Sequence, residues 1–183
     1  MRIIAGKYKG RIIKVPNSKL VRPTMDMVRE TLYNILVNQI DFDGIKVCDI
    51  YAGSGSLGFE ALSRGASHVH FVEKNFPIHK TLLENIKSLG AEKECHIYKM
   101  EAIAFAKMSL HDKYDLILAD PPFFKNDIHS VVRNLLEKNF LNEEGRIIVE
   151  RSIQTGKEDK LNFGIEPFKR IGDSLLYQFF GRE

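Results

Sequence analysis

Apolar residues change their rhythm near residue 45, and that change organises the whole reading. Before it, Met27, Val28, Leu32, Ile35 and Leu36 recur at the spacing of one helix face, with Thr24 as the expected N-cap and the stretch Asp41 to Gly44 as the stop. After it, short apolar runs alternate with longer amphipathic ones. Strands are expected at Ile45–Tyr51, His68–Glu73, Cys95–Lys99, Tyr114–Ala119 and Arg146–Glu150. Helices are expected between them, at Leu57–Ser63, Ile78–Leu89, Ala102–Met108 and Ile128–Lys138. Strand–helix alternation of this kind predicts an α/β fold with a mostly parallel sheet and right-handed crossovers. The tail departs from the rhythm: Glu166–Ile171 and Leu175–Phe180 flank Gly172-Asp173, which predicts a hairpin and an antiparallel end to the sheet.

The first residues follow neither pattern. Residues 2–5 and 11–15 flank a Gly6-to-Gly10 connection, which predicts a β-hairpin. Pro16, Asn17 and Ser18 then break the chain. Two units are therefore expected, an extension over residues 1–43 and a main domain over 44–183.

Composition adds little to this except in its distribution. At 183 residues, with 44% hydrophobic and 28% charged residues, the chain is an ordinary globular one. No apolar run reaches the roughly 20 residues of a membrane span, and no signal-peptide core opens the chain, so a cytoplasmic protein is expected. Cys48 and Cys95 both fall in expected strands, as reduced thiols. The histidines show no metal-ligand spacing, and no metal is expected. The net charge of +3 is modest, but Arg2, Lys7, Lys9, Arg11, Lys14, Lys19 and Arg22 all precede the first acidic residue, Asp26. So one-sided a segment suits nucleic-acid phosphates, although a lysine-protected edge hairpin would carry the same charges.

Two motifs carry chemistry. Gly53-Ser54-Gly55-Ser56-Leu57-Gly58 joins the first parallel strand to its helix, and Glu73 closes the next strand about 20 residues on, where a carboxylate commonly meets ribose hydroxyls. Together they indicate an adenosine-containing cofactor, with Ala52, Gly53, Ser54 and Gly55 approaching it by backbone. Asp49, just before the loop, would oppose a diphosphate but suits the ammonium or sulfonium of S-adenosylmethionine; alternatively it hydrogen-bonds the amides of the turn. Glu101 either contacts an adenine edge or only favours a helix start. The second motif is Asp120-Pro121-Pro122-Phe123. It follows a buried strand, and two prolines force the chain out of the sheet in a stiff turn. A carboxylate, a carbonyl and an aromatic ring are thereby held at a strand's C-terminal end, with Phe123 either stacking on a base or plugging the core.

The run Arg2-Ile3-Ile4-Ala5-Gly6-Lys7-Tyr8-Lys9-Gly10-Arg11, the motif Arg22-Pro23-Thr24 with Val28-Arg29-Glu30-Thr31, the glycine loop and Asp120-Pro121-Pro122-Phe123 together resemble the RsmD family. The resemblance spans nearly the whole chain. It implies a Rossmann-like class I methyltransferase that uses S-adenosylmethionine to methylate the N2 amine of one guanine in 16S rRNA, either as naked RNA or within the small ribosomal subunit. By the same resemblance Asp49, Gly53 and Gly55 line the methionine side, Glu73 the ribose, and Asp120, Pro121, Pro122 and Phe123 the target base. Arg2, Lys7, Lys9, Arg11 and Arg22 are the expected RNA contacts. Position 101 departs from the resemblance: the superfamily usually carries Asp or Asn there, and this chain carries Glu. Two other readings share parts of the pattern: an adenine-N6 DNA methyltransferase, and a non-catalytic RNA-binding assembly protein. A monomer is the default expectation.

Overall fold

The computed structural model describes residues 1–15, 23–122 and 126–181, with the side chains of 23–25 left aside. Helix α1 (Pro23–Leu36) leads into a sheet whose strands are β1 (Lys46–Ile50), β2 (His68–Val72), β3 (Cys95–Tyr98), β4 (Tyr114–Ala119), β5 (Leu141–Ser152), β6 (Lys169–Ile171) and β7 (Ser174–Phe180). Between them lie α2 (Ser56–Arg64), α3 (Phe76–Leu89), α4 (Ala102–Ala106), α5 (Asp127–Glu137) and α6 (Gly156–Phe163).

The strand order is β3-β2-β1-β4-β5-β7-β6. Strands β1 to β5 pair in parallel, and β7 pairs antiparallel to both β5 and β6. Connections leave β1 toward β2 on one side and return through β4 on the other. The order therefore reverses between β1 and β4, and in sheets of this kind ligands bind beyond the C-terminal ends of the strands at such a point.

Alternation along the strands splits the core in two. Val47, Val69, Phe71, Leu116, Leu118 and Ile148 face a cluster that includes Leu32 and Tyr33 of α1, Phe59 of α2 and Leu82 of α3. Cys48, Ile50, Val72, Ile117, Ala119 and Val149 face the opposite cluster with Phe105 of α4 and Val131 and Leu135 of α5. Ile3, Tyr8 and Ile13 belong to the first cluster, so the extension over residues 1–43 shares one core with the sheet.

Several expectations are corrected. The N-terminal segment folds back on itself, but with a single isolated bridge, Arg2 to Ile12, rather than two strands. Its backbone bonds across the turn, Ile3 N–H to the Arg11 carbonyl and Ile13 N–H to that of Met1, and also to α2: Ile4 and Ala5 N–H donate to Glu60, and Lys7 N–H to the Ser63 carbonyl. Helix α1 begins at Pro23, so Thr24 lies inside it and is not its cap. Helix α6 was not expected, because its face is almost wholly polar; Asp159 is its buried residue. Strand β6 is shorter than the pattern suggested, and β5 starts earlier. Cys48 is buried, whereas Cys95 is half-buried; both are unpaired thiols. Among the described residues, no helix is long and apolar enough to cross a membrane.

Candidate active site

Strand parity decides which side chains meet. Asp49 follows the face of Val47, Glu73 that of Val69 and Phe71, and Asp120 that of Leu116 and Leu118. All three carboxylates therefore leave the C-terminal edge of the sheet on the side covered by α1, α2 and α3. Glu150, which follows Ile148 on β5, joins them. Sequence reasoning missed Glu150 because it ended an apolar run that looked complete without it.

The glycine loop is held from both ends. Asp49 Oδ2 accepts the Gly58 N–H at 2.9 Å, and Glu73 takes the Gly53 N–H at 3.1 Å on one oxygen and the Asn75 N–H at 2.8 Å on the other. Of the two readings left open for Asp49, the hydrogen bond to the turn is therefore realised, on the first turn of α2. Gly55 adopts φ +80°, and a Cβ there would sit 2.6 Å from both Leu82 and the Phe59 ring. Gly58 is needed for a different reason: its Cβ would come within 2.4 Å of Phe71, so the helix could not lie this close to β2. Asn85, a polar residue within the apolar stripe of α3, donates to the Ser54 carbonyl at 3.1 Å and exchanges hydrogen bonds with the backbone of Lys14. It joins the N-terminal segment to the loop.

The electrostatics of the pocket are unusual for carboxylates. Burial, with a smaller contribution from Glu73 and opposed by the Gly58 N–H, pushes the Asp49 carboxyl up to about 8. Asp120 is held well above the usual carboxylate range, first by desolvation and then by the charges of Glu150 and Asp49, with Arg151 opposing. Asp120 as a whole residue is half-buried. Glu150 is raised by burial as well, against a hydrogen bond of 2.6 Å from the Ser174 hydroxyl. A dehydrated group of acids favours a cation or a row of N–H donors as occupant.

Glu101 stands before α4 without capping its amides and pairs with Lys74 at 3.0 Å, bridging the loops after β2 and β3. Ala52 is buried at the base of the glycine loop, and its carbonyl accepts the Gly55 N–H at 2.7 Å. Pro121 is buried and Pro122 exposed. Phe123 and Arg22 lie outside the described residues. The basic segment divides: Arg11 donates to the Ser88 carbonyl, Lys14 pairs with Glu84 at 3.1 Å and Arg2 reaches the Gly10 carbonyl at 3.2 Å. Lys7 and Lys9 are exposed, with the Lys7 ammonium 5.0 Å from the Tyr8 ring centre. A groove of about 630 Å³ lined by Ala5, Gly6, Val37, Ile40 and Arg64 lies at the other end of α2, away from these carboxylates.

A family model described as conserved hypothetical protein 95 matches residues 1–179. The ribosomal RNA small subunit methyltransferase D of Haemophilus influenzae is 38% identical over 152 residues, covering 82% of this chain and 78% of the relative. The protein of the same name from Escherichia coli K12 is 32% identical over 185 residues, covering 100% of this chain and 90% of the relative. Among solved structures, yhhF of Escherichia coli superposes with a TM-score of 0.80 at 29% identity, over 100% of this chain and 99% of that one. A magnesium protoporphyrin IX methyltransferase from Synechocystis with bound S-adenosylmethionine shares the fold, with a TM-score of 0.68 at 15% identity over 92% of this chain and 86% of that one.

Proposed function

The chain belongs to the RsmD methyltransferase family, and from that premise we propose that it methylates the exocyclic N2 amine of a guanine in 16S rRNA. S-adenosylmethionine is the methyl donor, and when bound it supplies an electrophilic methyl group on a cationic sulfur. The observation that carries the reading is the position of Asp120-Pro121. Asp120 leaves β4 at the switch point, on the same sheet face as Asp49 and Glu73, which supports acceptor and donor subsites side by side.

The residues present fit the donor. Glu73, already bridged to Gly53 and Asn75, keeps lone pairs for ribose hydroxyls. Asp49 presents its second oxygen to a positive amino group, and the Gly53–Gly55 backbone lets the ligand approach closely. Glu101 would reach the adenine edge from its pairing with Lys74.

On the acceptor side, an exocyclic guanine amine is a poor nucleophile because its lone pair is delocalised into the ring. The Asp120 carboxylate and the Pro121 carbonyl, which has no neighbouring N–H of its own at Pro122, accept the two amine hydrogens. Those bonds direct the lone pair toward the methyl group, and charge-assisted bonds of this type contribute about 1.5–3 kcal/mol each. Near-attack positioning can contribute more, up to about 7–11 kcal/mol. As the bond from sulfur to methyl breaks and the N–C bond forms, S-adenosylhomocysteine would leave neutral and Asp120 would hold the proton released from nitrogen, which its raised carboxyl favours. Phe123 stacks on the extruded base, an interaction of about 1–3 kcal/mol. Exposed Lys7 and Lys9 meet RNA phosphates, and the substrate is the small subunit RNA or its assembling particle.

The test is Asp120→Asn, assayed with labelled S-adenosylmethionine on small-subunit RNA and particles. Turnover should fall by about 100-fold or more, while donor affinity stays within a few-fold. Turnover near that of the wild type would refute the assignment. Transfer to duplex DNA in preference to RNA would favour the adenine-N6 reading instead.

A further inference from the structure

Arg29 of α1 is only 4% exposed, yet its Nε and Nη1 have no hydrogen-bond partner. The remaining nitrogen, Nη2, donates to the Arg2 carbonyl at 2.7 Å and reaches Asp26 at 3.2 Å. Asp26 is half-exposed, so water screens much of that pairing. A guanidinium in this state carries a charge only partly compensated and two orphaned donors, both costly in a protein interior. An anion with two acceptor oxygens would satisfy both deficits.

Three observations place those donors at the mouth of the glycine loop. Helices α1 and α2 run in the same direction: the residues after α1 face Arg64 across a groove, and the Tyr33 hydroxyl reaches back to the Leu57 carbonyl in the first turn of α2. Arg29 lies one turn further toward the start of α1, level with the start of α2. The N-terminal segment gives the same level independently. Lys7 and Tyr8 bond to Ser63, Ile4 and Ala5 bond one turn earlier to Glu60, and Arg2, which receives Arg29, comes earlier still. Finally, Arg2 bridges Ile12, and Lys14, two residues on, is tied through Asn85 to the Ser54 carbonyl of the glycine loop. There Gly55 precedes α2 and brings no side chain to its first-turn amides, of which Asp49 takes the Gly58 N–H.

We propose that Arg29 anchors the α-carboxylate of the methyl donor's amino-acid tail, its unpaired N–H groups donating to the two oxygens beside the start of α2. Asp49 then takes the ammonium of the same tail, so a zwitterion is read by one fixed cation and one fixed anion. This rests on the reading that the glycine loop and Glu73 hold the donor.

The test is calorimetry with S-adenosylhomocysteine, its decarboxylated analogue and methylthioadenosine, which lacks the amino-acid tail. Wild-type protein should bind S-adenosylhomocysteine about 10- to 100-fold more tightly than the decarboxylated analogue. Arg29→Met should erase that preference and leave methylthioadenosine affinity within about twofold, and Arg29→Lys should recover part of it. Equal wild-type binding of the two tailed ligands would overturn the proposal, whether or not Arg29→Met folds. So would an equal loss for methylthioadenosine and S-adenosylhomocysteine in Arg29→Met, which marks a packing role. Failure of wild-type protein to bind any of the three would overturn the donor site itself.

Discussion

Asp49 provides the sharpest quantitative test, because its environment fixes a proton count. The side chain is 2% exposed, and burial raises its carboxyl to about 8. At pH 7 the free protein should therefore hold most of a proton there, and at pH 9 little of one. A ligand that places an ammonium and a sulfonium nearby restores the charged form, so donor binding at pH 7 should expel close to one proton. The perturbation is Asp49→Asn, which keeps an acceptor for the Gly58 N–H but cannot ionise. Calorimetry in buffers of different ionisation enthalpy counts the protons released. The ligand's own amine titrates identically with both proteins and cancels in the difference. Relative to Asp49→Asn, wild-type affinity should climb up to about tenfold per pH unit between pH 6 and 7.5 and level off above 8. Stability has the opposite sign: the folded pKa lies above the unfolded one, so Asp49 costs the free protein increasing stability as pH rises from about 4 to 8. Asp49→Asn should accordingly raise Tm at pH 8 and leave it nearly unchanged at pH 4. An equal proton count for the two proteins, or a wild-type release near zero at pH 7, would refute the reasoning.

Two further predictions concern the N-terminal segment. Gly6 adopts φ +79°, and a Cβ there would lie 1.7 Å from the Ser63 carbonyl oxygen; Gly6→Ala should cost about 2–4 kcal/mol by denaturant melt, and an unchanged midpoint would place the segment elsewhere in solution. Replacing Lys7 and Lys9 with Gln should lower the log–log salt dependence of RNA binding by about two, whereas the same change at Arg11 and Lys14 should mainly loosen the segment from α3, because those two already bond Ser88 and Glu84. An unchanged slope in the first variant would assign Lys7 and Lys9 to solubility.

Local chemistry wrote much of this protein plainly. Glycines before a helix, paired prolines after a strand and apolar runs of strand length act within a few residues, through sterics and backbone geometry. That is why the loop, the Asp120-Pro121 turn and the parallel sheet were legible along the chain. The role of the basic segment was less so. A run of positive charge reads as one surface, yet Arg11 and Lys14 are committed to α3 while Lys7 and Lys9 project outward. Nothing within fifteen residues of Arg11 announces Ser88.

What only the tertiary structure decided are the meetings between distant polar groups. Glu60 sits with no exposure in the middle of α2 and accepts two amides from the first turn of the chain. Asn85 ties Lys14 to Ser54, Glu150 lies beside Asp120, and Arg29 is left with donors to spare. Each is a buried or half-buried polar residue within an otherwise apolar pattern, and periodicity gives such a residue no partner. Its meaning depends on dehydration and on which groups converge in space, quantities that exist only once the chain has folded.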